Sequence, residues 1–433
     1  MTDVNLNRLL FAPALLATLA VPAAAQQRSV TLSEAIAMAQ RVQVNLLAAQ
    51  GAVRTAAAAK TAVVGEYLPN VNANASGSHS YSEFQTAASS GQILSGTNTT
   101  VSTGLSASID LFTGFRRGAD MAAAKAGQLS AAAGVVSAKY VVVVNTTAAF
   151  IAALTQRQLV SVDSVAVVLT QTELKAATDK MRAGAATKGD SLTAMVAFGN
   201  AQLSLVNAQA ALVGAEASLA HIIGLDGQAS AQDDSAYYLV ITNVDTAAIR
   251  RDALAMAPVL QAAEASADAA HANLRAAKSG YWPTLSASAN ASWSGSEGQN
   301  YELLPNRSVG LQLSWPLFNR FTRERNIITN EVAAEIADAT AIDARRQLNA
   351  SLTQAIASLQ AAGISIRIGQ ISISSADEAL RVVQERYRAG AATIVDVMTA
   401  QSSLNSAQVT VLQARFSYLN AKAALEALIG RSL

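Results

Sequence analysis

Cysteine is absent from the 433 residues. That excludes disulfides, thiolate metal sites, thiol catalysis and lipidation at a cysteine. Charge is sparse, at 14% of residues with a net +1, so no polybasic nucleic-acid or membrane patch is present. Past residue 26 there is no uninterrupted apolar run of about twenty residues, the length a membrane helix needs. A chain that spans a bilayer without such a run must do so with strands. The seven prolines are confined. Pro13 and Pro22 lie near the start, and Pro69, Pro283, Pro305 and Pro316 lie in or beside stretches of alternating polarity. Pro258 opens a helical pattern, where the first turn tolerates it. None occurs at 70–257 or after 316. An interior proline costs a helix about 3 kcal/mol, so those voids are where long helices can run. Catalytic signatures are also missing. Neither G-x-S-x-G nor H-E-x-x-H occurs, and Asp190 after Lys188-Gly189 breaks the phosphate-loop order. His79, His221 and His271 have no ligand spacing. No metal, cofactor or enzyme activity is expected.

What is present is alanine. The chain is 51% hydrophobic with a mean hydropathy of +0.25, and the excess is alanine rather than bulky side chains. That favours long helices over a thick core. Leu348, Leu352, Ile356 and Leu359, then Leu380, Val383 and Tyr387, step by three and four, close to a coiled-coil seam. Helices over 117–182 and 321–388 would each span about 100 Å. Shorter helices are expected over 33–66, 191–224, 258–279 and 395–429, two short ones stacked against each long one. At the N-terminus, Arg8, the run LLFAPALLATLAV and the small residues Ala23 and Ala25 predict a secretory signal over 1–25, cleaved after Ala25.

Four alternating stretches lie between the helices, at about 68–81, 101–113, 282–294 and 307–318. LSASANASW, from Leu285, puts Leu, Ala and Trp on one face and Ser and Asn on the other. Alanine makes a poor soluble core, but a lipid-facing surface needs only apolarity, and a Ser/Asn face suits a watery lumen. Polar loops are expected at 82–100 and 294–308. More than half of the aromatics flank these strands, including Tyr67, Phe112, Trp282, Trp293, Trp315 and Phe318, as in a membrane-interface girdle.

The chain is also duplicated. Phe112 answers to Phe318, Gly184 to Gly390 and Gly224 to Gly430, all at an offset of 206, and RAGAATKGD answers to RAGAATIVD. The expected division is a first repeat over 26–226, a second over 257–433, and an insert over 227–256. Four strands cannot close a barrel. Oligomerisation can, with eight strands in a dimer or twelve in a trimer.

The signal peptide, duplicated halves, two hairpins, long helices and paired RAGAAT turns together resemble the TolC family of outer-membrane efflux and secretion channels. The resemblance implies an α plus transmembrane-β fold. Three chains would supply a twelve-stranded barrel in the outer membrane of a Gram-negative bacterium, continued by a periplasmic α-helical barrel. It implies a homotrimer embedded in outer-membrane lipids. That trimer would export small molecules or proteins with a periplasmic membrane-fusion adaptor and an inner-membrane RND, ABC or MFS transporter. Residues 227–256 and the C-terminus would form an equatorial belt. The competing expectation is a periplasmic coiled-coil scaffold that forms no pore.

At the helix tips, Gly184 and Gly390 are expected to end long helices, and Thr187–Asp190 and Thr393–Asp396 to cap the next ones. By the resemblance, Asp396 also lines a carboxylate ring at the periplasmic entrance. Thr399 stands where relatives have a second acid. Tyr387 joins closed-state links toward Asp190, and Ala392 replaces an arginine of that lock. The turns at Gly184, Thr187, Gly390 and Thr393 would dock the adaptor.

Overall fold

A computed structural model describes residues 28–85, 93–232 and 245–431. The expected cleavage site after Ala25 lies outside the described residues. The chain runs β1 (Arg28–Val30), α1 (Leu32–Val42), α2 (Val44–Gly65), β2 (Asn70–Gln85), β3 (Ile93–Phe112), α3 (Arg116–Arg182) and α4 (Lys188–Ile223). The second half runs β4 (Ala229–Ala231), α5 (Thr246–Met256), α6 (Pro258–Lys278), β5 (Thr284–Ser296), β6 (Leu304–Ser314), α7 (Thr322–Arg388) and α8 (Ile394–Ile429). The halves match in length. α3 and α7 have 67 residues each, and α4 and α8 have 36 each. The long helices are about 100 Å, as their proline-free sequences allow.

The helix expected over 33–66 is instead two. Gln43 adopts an extended backbone, and its side-chain amide donates to the Ile222 carbonyl at 2.9 Å. Gly224, at φ 74°, leaves room there for Val42, which a Cβ would touch at 2.8 Å. The break is made by the neighbouring helix end, not by a local breaker. In the second half the equivalent break falls at Ala257-Pro258, which the sequence announces.

The sheet order is β2-β3-β5-β6, all antiparallel, with β2 and β6 as open edges. Register joins like with like. One face carries rows such as Val71, Ala107, Ala289 and Val309; the other carries rows such as Asn72, Ser106, Asn290 and Ser308. The strands overrun the loops expected at 82–100 and 294–308. β2 continues to Gln85 against β3 from Ile93, and β5 and β6 reach Ser296 and Leu304. That extension needs no apolar alternation. It is a backbone ladder, Ser82 paired with Gly96 through Gln85 with Ile93, that continues a strand pair already joined by hydroxyls, Ser76 with Ser102 at 2.8 Å and Ser78 with Thr100 at 2.7 Å. β6 stops at Ser314, short of the expected 318, because Pro316 cannot donate to the ladder.

The main core lies at mid-length of α3 and α7. There Phe150, Leu154, Leu352 and Ile356 meet the ends of α4 and α8 through Leu219, Ile223, Leu425 and Ile429. β1 pairs in parallel with β4, and Val30 is fully buried. Glu216, 2% exposed, receives Arg157 at 2.7 Å, and Arg157 also reaches the Ala231 carbonyl at 2.6 Å and the Ser230 hydroxyl. This clamp ties α3 and α4 to β4. Elsewhere the protomer is thin. Leu192, Val196, Leu203, Val206 and Val213 are exposed along α4 at steps of three, four and seven. Parts of α3 and α4 are apolar enough to cross a membrane by composition (mean hydropathy 1.6 and 1.2). α3, however, is about three times the length a bilayer needs and carries Arg157 and Asp163 mid-helix. Seams at coiled-coil spacing suit other helices.

At the α7–α8 contact, a Cβ on Gly369 would collide with Val411 Cγ2. Gly369→Ala gains about 1 kcal/mol of helix propensity but overpacks the contact by about 1–3 kcal/mol. The melting temperature is expected to fall. In a Val411→Ala background the same change should raise it.

Candidate functional site: the helix tips and the membrane girdle

Both long helices end the same way. Gly184 and Gly390 take left-handed φ values of 73° and 77°. Ala185 N–H then donates to the Lys180 carbonyl, and Ala391 N–H to that of Arg386, both at 2.8 Å. These bonds close a Schellman turn and satisfy carbonyls the helix leaves open. The next helices start with capping boxes of equal geometry. The Asp190 and Asp396 carboxylates accept from the Thr187 and Thr393 backbone N–H at 2.8 Å and from their hydroxyls at 2.8 Å. Each threonine oxygen accepts the aspartate N–H at 3.2 Å. Those threonine donors hold both aspartates below the usual carboxylate range, and Arg386 adds a smaller effect at Asp396. Asp396 is exposed, so its charge faces open space while its cap is made.

Tyr387 stands where all four tip helices meet. It packs on Ala177, Ala194 and Ile394 on one side and on Leu380, Val397 and Leu404 on the other. Lys180 Nζ lies 3.7 Å from its ring centroid and donates to its carbonyl at 2.8 Å. The Tyr387 hydroxyl is buried with no hydrogen-bond partner among the described residues, so within the protomer it does not bond Asp190. Burial, then Asp190 and Glu173, push its pKa up. Burial likewise raises the pKa of Glu173, whose Oε1 has no hydrogen-bond partner among the described residues. Thr399 is exposed one turn beyond Asp396, and its hydroxyl donates to the Val395 carbonyl at 2.8 Å. Lys180 and Glu173 escaped the sequence reading. A last-turn lysine is a visible cue for helix ending, but its contact with Tyr387, 207 residues away, is not.

At the other end, strands turn into helices through left-handed aromatic caps, Phe115 at φ 70° and Phe321 at φ 60°. Gly114, at φ 63°, sits where a Cβ would lie 2.7 Å from both the Ser279 carbonyl and Trp282 Cβ. Edge-to-face rings hold the junction: Phe112 with Phe115, Phe115 with Trp282, and Phe318 with Phe321, at 5.3–5.7 Å. Trp315 Nε1 donates to the Tyr281 carbonyl at 3.2 Å, and Arg117 lies 5.1 Å from the Tyr67 ring centroid. Tyr67, Trp282, Trp315 and Phe318 are exposed, and Phe112 is half-buried. Trp293 lies eleven residues along β5 from Trp282. At about 3.4 Å per residue and a tilt near 40° that separates two girdles by roughly 28 Å, the height of an apolar band.

An apolar band bounded by aromatics thus lies on a sheet continuous with helices of about 100 Å. The sequence profile described as outer membrane efflux protein matches residues 22–225 and 249–431. The chain belongs to the outer membrane efflux protein family. Its place is therefore the outer membrane, with the helices extending into the periplasm. Pyoverdine export outer membrane protein OpmQ of Pseudomonas aeruginosa is 27% identical over 217 residues, 49% of this chain and 45% of OpmQ. Protein CyaE of Bordetella pertussis is 27% identical over 240 residues, 53% of this chain and 49% of CyaE. The chain thus spans about half the length of the curated relatives it matches. Among solved structures, the Campylobacter jejuni CmeC outer membrane channel superposes with a TM-score of 0.81 at 16% identity, covering 92% of this chain and 85% of that one. Among the described residues of this efflux-family chain, no group of three or more His, Asp or Glu converges as a metal site.

Thr187→Ala and Thr393→Ala should each weaken their helix start by about 1 kcal/mol. Rate-corrected amide exchange at 188–194 or 394–400 would read the loss. The aspartate contribution has a fixed sign. A carboxylate with a lowered folded pKa stabilises above its unfolded value, 3.8, and loses that effect as pH falls through the folded one. Glu173 runs the other way, since its raised pKa makes the ionised form unfavourable. Glu173→Gln should raise the melting temperature at pH 8 and leave it unchanged at pH 4. An equal change at both pH values would contradict the burial argument.

Proposed function

We propose that three copies of the chain form a passive export conduit from the periplasm to the exterior. The four strands of each copy join through the open edges of β2 and β6 into a twelve-stranded barrel. The α3–α4 and α7–α8 hairpins of the copies together make the periplasmic tube. One observation carries this reading: a lipid-compatible sheet with two unpaired edges is fused, through matched aromatic junctions, to two equal sets of long helices. A coiled-coil scaffold has no use for that sheet. In this reading residues 26–226 and 257–433 act as equivalent halves, and 227–256 belongs to an equatorial belt. Cargo, small molecules or proteins, is handed over by an inner-membrane RND, ABC or MFS transporter. A periplasmic adaptor seats on the tips around Gly184, Thr187, Gly390 and Thr393. Nothing in the chain suggests catalysis, and a conduit requires none.

Asp396 is the residue assigned to the entrance. Its cap uses Oδ2 while its charge stays exposed, so capping and a three-fold carboxylate ring coexist. Tyr387 and Asp190 are assigned to the closed-state link, in which the buried, unpartnered Tyr387 hydroxyl gains a partner when the tips shift between copies. Thr399 keeps the ring at one acid per copy.

Single-channel recording of the purified oligomer in a planar bilayer tests both levels. Discrete cation-selective steps are expected, with selectivity reduced about two- to tenfold in Asp396→Asn, the scale of removing one ring of charge. Steps with unchanged selectivity in the variant would leave Asp396 a cap alone. Absence of any steps from folded protein would favour the scaffold.

A further inference from the structure

Arg307 is the only lysine or arginine in β2, β3, β5 and β6. Its parity puts it on the apolar face. The register across the sheet runs Ala73, Leu105, Ala291, Arg307, two residues from the row Val71, Ala107, Ala289, Val309. Asn and Ser occupy the opposite, lumenal face. A lipid-facing arginine is tolerated only where the hydrocarbon ends. Arg307 is eight residues along the chain from Trp315. At about 3.4 Å per residue and a tilt near 40°, it stands roughly 20 Å above the lower girdle, near the outer rim of the band. Trp293, paired with Pro305, lies one row further out on the same face. Its backbone thus lies one row inside the outer girdle, and the long side chain has the length to carry its guanidinium outward to headgroup level on the side away from the helices.

Two further observations point to what it meets. Arg307 is exposed and makes no hydrogen bond or ion pair among the described residues. It also lines an open groove of about 330 Å³ along with apolar residues of all four strands and Ser106, Asn290 and Ser308. Ala289 and Ala291 floor the groove, and Val71, Leu105 and Val309 wall it. Small residues on the middle strand between larger ones leave a depression the width of a hydrocarbon chain. A mostly apolar groove with one unpaired cation in its lining is complementary to an acyl chain carrying an anion.

The geometry points to this groove and Arg307 as a seat for a phosphorylated glycolipid of the outer leaflet. An acyl chain lies over Ala289 and Ala291, and a phosphate takes two guanidinium N–H bonds, the fork geometry arginine offers and lysine lacks. The inference rests on the outer-membrane placement of the sheet.

Native mass spectrometry of the detergent-purified oligomer, with bisphosphorylated lipid A as probe, tests it. The wild type should retain lipid A adducts. Arg307→Gln should lower their population by about tenfold or more, as expected for losing a charge-assisted bond. Ala289→Leu, which fills the groove and leaves the arginine, should lower it as well. Equal retention in wild type and both variants would overturn the site. Phosphatidylglycerol displacing lipid A equally would overturn the glycolipid assignment. Oligomer mass appears in the same spectra. If Arg307→Gln dissociates the oligomer without added lipid, the side chain pairs with a neighbouring copy and the proposal fails. Outer-membrane fractionation of the same samples separates all of these from a failure of the membrane placement itself.

Discussion

A sheet in lipid cannot leave backbone N–H and C=O groups unpaired, and the rest of this molecule follows from that constraint. The four strands satisfy one another internally, but β2 and β6 each keep an open edge. No segment of the described chain covers either edge. In water such edges invite aggregation; in hydrocarbon each unpaired group costs several kcal/mol. In the proposed trimer, closure comes from further copies, and the helices fused to the strands are carried into the same symmetry. This explains why an isolated protomer leaves so much of α4 apolar and exposed. Those seams have the spacing of helix partners rather than of a soluble core.

The duplication adds a second constraint. Two halves offset by 206 residues place two hairpins side by side in the sheet and two equal helix pairs below it. Equal length matters because all tips must reach one level if they are to form a common entrance. The tips are built alike, with a left-handed glycine, a threonine cap and an aspartate accepting the same bonds. The halves differ where they face each other. Lys180 reaches across to Tyr387, and the position matching it in the second half is Arg386, which instead bonds the Ala391 carbonyl of its own turn.

Much of this was legible in the residues. Proline voids marked α3 and α7 to within a residue or two, because a proline-free alanine-rich run has few other low-energy states. Thr393 and Asp396 announced a cap because capping is local chemistry. The aromatics beside the strands were visible as a cluster, though not the left-handed backbone of Phe115 and Phe321 that their ring contacts stabilise. Three features were not legible. Strand pairing beyond Tyr81 has no hydrophobic pattern to read, since the backbone ladder carries it. The break at Gln43 is imposed by the end of α4. The clamp of Arg157 on Glu216 joins residues 59 apart that share no motif.

The most direct test of edge-to-edge closure uses the chain's lack of cysteine. Cysteines replacing Val71, Ala73 or Ala75 on β2 are combined in turn with cysteines replacing Val309, Leu311 or Leu313 on β6. In a protomer these edges are separated by two intervening strands. Between copies, one register brings a pair within the roughly 4.4–6.8 Å Cα separation a disulfide spans. Oxidation of membrane-embedded protein is expected to give a covalent trimer on a denaturing gel for at least one combination, reversed by reductant. Only monomer from every combination, with the protein still folded in the outer membrane, would contradict closure through β2 and β6.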